Sequence, residues 1–243
     1  MTFSILGRCG RTGQIGAAGA TSDVAVGARI QHVSGGMGAV LTQHRTDPRL
    51  GPRGLALLRS GCTAGETVAA LVASTPHEAW RQLAVLDAEG RTALHHGARV
   101  TPARAGAEGR DCVAIGNILA SEAVPAAMVR AFEADPGAAL GDRLVAALAA
   151  GEAAGGERGP VVSAVLEIHG GYDFALADLR VDRAADPIAE LDSLWRGYAP
   201  KMGEFVLRAM DPDRARGGVS GGASGGARGG VSGGVPAAEG GMS

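Results

Sequence analysis

Arg-Gln-Leu-Ala-Val-Leu-Asp (81–87) and Arg-Thr-Ala-Leu-His-His (91–96), separated only by Ala88-Glu89-Gly90, read as two strands closed by a tight turn. A short Gly-containing connection makes a hairpin, and a hairpin makes its strands antiparallel. Upstream of this hairpin, Leu55, Leu58, Val68, Leu71 and Val72 recur with helical spacing. They divide into two helices at Gly61, and Thr63 with Glu66 three residues on forms a capping-box signature for the second. Before the helices, Phe3–Leu6, Gln14–Ala20 and Gly38–Thr42 are short apolar stretches between Gly-rich turns. Downstream, Asp111–Ile115 is a further strand, and 121–134 and 138–152 are two Ala-rich helices. Val161–Ile168 and Ala177–Val181 are late strands; a helix from Pro187 to about Tyr198 follows, and another starts after Pro200.

The order is strands, paired helices, strands, paired helices, strands, helix. A doubly wound parallel sheet would alternate one strand with one helix. Two antiparallel sheets packed face to face, with helices on both outer sides, fit the order instead. The expected fold is therefore an α+β four-layer α/β/β/α sandwich. From Asp211 onward the composition changes to a Gly/Ser repeat with little to bury, so residues 1–210 are expected to form one domain and 211–243 a disordered tail.

A net charge of −2 leaves no excess of positive charge to neutralise a nucleic-acid backbone. Of the 23 basic residues only Lys201 is lysine, which reads as coding bias and removes Arg abundance as a signal. No apolar run approaches the roughly 20 residues of a membrane span, and no basic, then apolar leader opens the chain. Cys9, Cys62 and Cys112 are odd in number and widely spaced, which fits free thiols in a reducing cytoplasm better than a disulfide or metal framework. A cytoplasmic location without membrane or nucleic-acid partners is expected.

The glycines at 7, 10, 13, 16 and 19 form no phosphate-binding fingerprint between a strand and a helix, so they are assigned to turns and close packing, with no cofactor implied. In the strand that ends His95-His96, adjacent side chains point to opposite faces and only one can serve any site. No carboxylate or Cys stands at ligand spacing, so no metal is expected.

Thr2 is the sharpest chemical feature. A Met before a residue this small is normally trimmed, and a terminal Thr then carries a hydroxyl nucleophile and an α-amine of pKa about 7.7–8.0 on one residue. The plain alternative is a trimmed surface threonine.

Several segments resemble one known family: Met-Thr-Phe-Ser-Ile (1–5), Thr-Gln-His-Arg-Thr-Asp-Pro-Arg-Leu-Gly-Pro-Arg-Gly-Leu (42–55), Arg-Gln-Leu-Ala-Val-Leu-Asp (81–87), Gly-Asn-Ile-Leu-Ala (116–120), Gly-Glu-Ala-Ala-Gly-Gly-Glu (151–157) and Asp-Leu-Arg-Val-Asp (178–182). The family is an uncharacterised bacterial one, catalogued as domain of unknown function ten twenty-eight and placed among the N-terminal-nucleophile (Ntn) hydrolases. The resemblance implies the same sandwich and places Thr2 where that superfamily carries its nucleophile. It supplies no substrate. One departure stands out: where sequences with a Gly-Pro-Val-x-Ser-Ala run carry His before the Ser, this chain has Val162 before Ser163.

With Thr2 as nucleophile, the expected activity is hydrolysis of a small linear or cyclic amide. With aromatics at only 3%, the chain has few rings to stack a large planar substrate. Asn117, at a strand end beside Gly116, is the candidate oxyanion donor, with a turn residue as the alternative. Gln43, Asp47 and Arg53 are candidate substrate-binding residues, Arg53 as a carboxylate clamp, unless an Asp47–Arg53 ion pair merely ties the loop. Glu157 is expected to bind the ammonium that forms on Thr2, unless it belongs to a surface ion pair. The competing class is a non-catalytic assembly protein that keeps the fold. A homo-oligomer is expected in either case.

Overall fold

The computed structural model describes residues 1–100 and 103–215. Its elements in chain order are β1 (Thr2–Arg8), β2 (Ile15–Thr21), β3 (Gln31–Ser34), β4 (Gly38–His44), α1 (Leu50–Arg59), α2 (Ala64–Ser74), β5 (Arg81–Asp87), β6 (Thr92–His96), β7 (Ala105–Gly109), β8 (Cys112–Asn117), α3 (Val124–Glu133), α4 (Leu140–Ala153), β9 (Ser163–His169), β10 (Ala175–Val181) and α5 (Pro187–Met210). The strands form a six-stranded sheet, β10-β9-β2-β1-β8-β7, and a four-stranded sheet, β3-β4-β5-β6. Every strand pairing in both is antiparallel.

Strand alternation divides the core into three. Phe3 and Ile5 of β1 pack with Met128, Phe132, Leu144 and Leu148 of α3 and α4 on the outer side of the larger sheet. Leu6 of β1 turns the other way and meets Leu41, Ala84 and Leu86 of the smaller sheet, so the two sheets face each other. Val40, Leu83 and Val85 on the far side of the smaller sheet pack under Leu50, Leu58, Val68 and Leu71 of α1 and α2. The two expected helix pairs thus cover opposite sides of a two-sheet core. The capping box of α2 forms as read, with Thr63 Oγ1 accepting from Glu66 N and the Glu66 carboxylate accepting from Thr63 N.

Gly7 shows what the opening glycines do here: a Cβ on it would lie 2.4 Å from the Phe132 ring, so the residue lets α3 approach β1. Two strands escaped the sequence reading. β3 is four residues of half-polar chain, and β7, Ala-Gly-Ala-Glu-Gly, is an edge strand of residues with little β preference. One boundary is corrected: the separate helices expected on either side of Pro200 are one helix, α5. A proline inside a helix removes one backbone donor. Contacts on both sides of it hold the helix straight through: Leu191 and Trp195 before it, Tyr198 and Met202 around it. Tyr198 Oη also donates to Leu176 O of β10 at 2.9 Å. The expected tail lies outside the described residues except for Asp211–Ala215, a turn that follows α5.

Trp195 is fully enclosed, its Nε1 donating to Asp142 Oδ1 at 2.6 Å. Its ring lies where a Cβ on Gly141 of α4 would sit, 2.2 Å from Cζ2. Gly141→Ala is therefore expected to push α5 off α4 and to lower stability by about 1–3 kcal/mol, the usual cost of overpacking. Urea unfolding of the two proteins checks this, and an unchanged midpoint contradicts it.

Candidate functional site

Six strands, β1, β2, β4, β5, β6 and β8, bring polar side chains to one end of the inter-sheet core. Thr2 lies on the same face of β1 as Ser4 and Leu6, towards the smaller sheet. In the register of β1 with β8 it stands directly opposite Asn117. Opposed residues of an antiparallel pair hold their Cβ atoms about 4.5–5.5 Å apart, so the two side chains are neighbours despite the intervening chain. On the other flank, Thr21 of β2 places its Oγ1 3.3 Å from Thr2 Oγ1. Both hydroxyls donate to the carbonyl oxygen of Met1.

Beneath this group a buried network joins the sheets. Ser4 Oγ donates to Gln43 Oε1. Gln43 Nε2 donates to Gln82 Oε1 at 2.7 Å, and Asn117 Nδ2 donates to the same oxygen at 2.9 Å. Gln82 Nε2 in turn reaches Gly116 O and His96 Nδ1, each at 2.8 Å. Ser4, Gln43, Gln82 and Asn117 are wholly buried, where a half-satisfied polar group is expensive. The network therefore holds the Asn117 amide in one orientation. The chain leaves β8 through Ile118, whose φ is +53°. A β-branched residue in left-handed backbone costs about 1–3 kcal/mol and persists only where its surroundings enforce it. Here the Ile118 carbonyl accepts from Arg158 N, and Leu119 N donates to Ala103 O.

Glu157 closes the site from the loop after α4. It is 6% exposed; its Oε2 accepts from Ser22 N at 3.0 Å, and its Oε1 is buried without a hydrogen-bond partner. Burial pushes its carboxyl above the ordinary range, against the opposing pull of Ser22, the Thr21 hydroxyl and the positive amino terminus. Asn117 Oδ1 is a second buried acceptor without a partner. Two acceptors beside Thr2, one of them a carboxyl, create a demand for a cationic donor.

His96 accepts from Gln82 at Nδ1, and its pKa is pushed down to about 4, first by burial and then by the charges of Arg104 and His95. Folded His96 is thus neutral down to about pH 4, whereas an unfolded imidazole takes up its proton near 6.5. Between those values the unfolded chain binds the extra proton, so stability falls as pH drops through the window. His32, also pushed down by burial, acts with the same sign. The His96 share is expected to be on the order of 1–2 kcal/mol after discounting for its partial exposure. His96→Gln keeps an acceptor for Gln82 and should flatten the slope of unfolding free energy between pH 6.5 and 4; an unaltered slope contradicts the assignment.

The other residues singled out in the sequence divide. Gln43 joins the network one layer below Thr2. Asp47 stands in the loop between β4 and α1, pairing with Arg49 at 2.8 Å and more distantly with Arg81 at 3.8 Å, and the Arg49 guanidinium holds its carboxyl below the usual range. Arg53 is exposed on α1, on the outer side of the smaller sheet, and donates to Ser74 Oγ of α2. The expected Asp47–Arg53 pair is therefore replaced by Asp47–Arg49, and Arg53 does not reach the Thr2 group. Nor is Glu157 in a surface ion pair: Arg158 turns its Nε to Leu119 O at 3.4 Å. Val162 lines a surface depression of about 690 Å³ with Ser22, Val24 and Arg183, next to the end of β2, where its N donates to Thr21 O. Thr21, Ser4 and Gln82 were missed in the sequence, and His96 was singled out there without a role; only strand register reveals their place in the network. Among the described residues no three His, Cys, Asp or Glu side chains stand close enough to hold a metal ion, and no helix is long and apolar enough to cross a membrane.

An α+β fold of two antiparallel sheets, with a polar cluster at one end of the core, defines the class. Residues 2–191 match the family described as Family of unknown function (DUF1028), and the chain belongs to that family. It is similar to a solved structure of the same family, protein SPO2555 from Silicibacter pomeroyi, at 28% identity with a TM-score of 0.78, over 84% of this chain and 89% of that one. No curated protein matches the chain.

Proposed function

We propose that this protein is a cytoplasmic, Ntn-type amide hydrolase that cleaves a small linear or cyclic amide through Thr2 once Met1 has been removed. The observation that carries the reading is the placement of Thr2 against Asn117 and Thr21, beside two buried acceptors that lack a donor. Removal of Met1 would supply that donor, an α-ammonium on Thr2, in reach of the Glu157 carboxylate and Asn117 Oδ1. It would also free the space of the Met1 carbonyl oxygen, which the Thr2 and Thr21 hydroxyls now grip.

In the proposed reaction the neutral α-amine takes the Thr2 hydroxyl proton and Oγ1 attacks the amide carbonyl. Negative charge collects on the carbonyl oxygen. The second N–H of Asn117 Nδ2, held by the Gln82 network, and the Thr21 hydroxyl, released from the Met1 carbonyl by trimming, are the donors available to it. The ammonium then returns its proton to the leaving nitrogen as the C–N bond breaks. Water, activated by the same amine, releases the acyl group from Oγ1. Gln43 and Gln82 act through Asn117 as positioning residues. The inter-sheet position of Thr2 favours the Ntn-like reading of the sandwich.

The test is a panel of small linear and cyclic amides, assayed for amine release by wild type and by Thr2→Ala, with intact mass recorded for both. Turnover by the trimmed wild-type chain alone is expected. Equal turnover by the two, or turnover by a chain that keeps Met1, overturns the proposal.

A further inference from the structure

The opposite end of β1 holds a second candidate site. Thr2 and Arg8 bound the strand and lie roughly 20 Å apart at ~3.3 Å per residue. Beyond Arg8, a cavity of about 470 Å³ is lined by Arg11, Arg110 and Arg143 together with Asp111 and Glu133. Arg143 is the unusual member. It is only 7% exposed, its guanidinium lies 3.8 Å from the centre of the Phe132 ring, and its Nε donates to Phe132 O at 2.9 Å. Its two terminal nitrogens make no hydrogen bond or ion pair among the described residues. The stem of Arg143 is enclosed, but neither terminal nitrogen is among the fully enclosed polar atoms without a partner, so both keep access to the cavity, where a bound anion would meet them.

The surrounding charges do not supply one. Asp111 is engaged by Arg8 at 2.8 Å, and Glu133 Oε1 accepts from the backbone N of Arg110 at 2.6 Å. Arg11 spends its hydrogen bonds on the carbonyls of Gly137 and Ala138 and has no carboxylate partner among the described residues. Arg110 comes no nearer than 4.0 Å to an Asp111 oxygen. The lining holds three guanidinium groups against two carboxylates, an excess of one positive charge; Arg8, paired with Asp111, and Asp135, beside Pro136, stand at its margin with opposite signs. Arg143 also stands one turn into α4, whose N-cap, Ala139, offers no side-chain acceptor. Asp142 in the same turn carries the charge the helix dipole favours, but its carboxylate is engaged by Trp195 Nε1 and forms no ion pair with Arg143 among the described residues.

We infer that this cavity binds a phosphate group. The lining has an excess of positive charge and three guanidinium groups around one cavity, enough donors for several oxygens of one anion, and a guanidinium pre-oriented by an aromatic ring suits two-point contact with phosphate oxygens. The volume leaves space for a small organic group attached to the phosphate. The inference is independent of Thr2 chemistry.

The test is calorimetric titration of the full chain with inorganic phosphate and with ribose 5-phosphate, against acetate at matched ionic strength. Saturable binding of at least one phosphate, with none of acetate, is expected. Arg143→Met, which keeps the stem over Phe132, and Arg11→Ala, a surface change, should each weaken it about tenfold or more, the scale of a hydrogen bond to a charged group. Tighter binding of ribose 5-phosphate identifies an organic phosphate as occupant, and tighter binding of inorganic phosphate identifies the free anion. Absence of saturable phosphate binding overturns the inference, and so does binding unchanged in Arg11→Ala or in folded Arg143→Met. Should Arg143→Met fail to fold, Arg11→Ala decides alone.

Discussion

Thr2→Ala is expected to remove amide turnover on the order of 10⁵–10⁶-fold, the scale seen when an enzyme loses its nucleophile. Stability should change by about 1–3 kcal/mol, because the change deletes one hydroxyl and one methyl group from a buried residue and leaves the strand backbone intact. Thr2→Ser keeps hydroxyl and amine and should retain measurable turnover. Residues placed before Thr2 that cannot be trimmed should inactivate as fully as Thr2→Ala, since they turn the amine into an amide with no proton affinity to offer. A threonine with a purely structural role gives no reason for these variants to agree. Normal turnover by a stably extended chain would end the proposal.

Asn117→Ala is expected to lower turnover by about 10²–10³, the usual loss for one oxyanion donor. It also removes one of two donors to Gln82 Oε1; the other, Gln43 Nε2, remains. The fold should therefore survive with a penalty of about 1–3 kcal/mol. The measurement is kcat and KM well below the melting temperature, beside a thermal scan. A fall in kcat with a folded protein supports the donor role, whereas activity that merely follows the fraction folded assigns Asn117 to the network alone.

Much of the architecture was legible because it depends on local signals. Thr63 and Glu66 announce α2, the Ala88-Glu89-Gly90 turn announces the β5–β6 hairpin, helical spacing marks α1 and α2, and an Ala-rich composition marks α3 and α4. β3 and β7 were illegible because their pairing comes from neighbours and not from their own residues. Pro200 misled because its local penalty is outweighed by the packing of α5 along the larger sheet. For the site, Thr2, Asn117, Gln43 and Glu157 could be picked out by residue type and segment, and the structure draws them to one end of the core. Arg53 could not be judged: its side of the smaller sheet depends on where α1 packs. Thr21, Ser4 and Gln82 carry no chemical mark in the sequence, since ordinary strand residues become significant only through register. Asn117 was read with a left-handed turn as its alternative; that conformation belongs instead to Ile118, one residue later.

The β1–β8 ladder has a consequence for lengthening and shortening the chain. Thr2 meets Asn117 because each is an even number of residues from inward-facing Leu6 and Val113. Residues added to the Arg11–Gly13 turn or to α3 leave that alignment untouched. One residue deleted between Phe3 and Leu6 turns Thr2 towards the helices and parts it from Asn117, because side chains alternate faces along a strand. Related proteins can thus vary widely in loop length and keep this arrangement, while the interior of β1 and β8 tolerates no odd change in residue number.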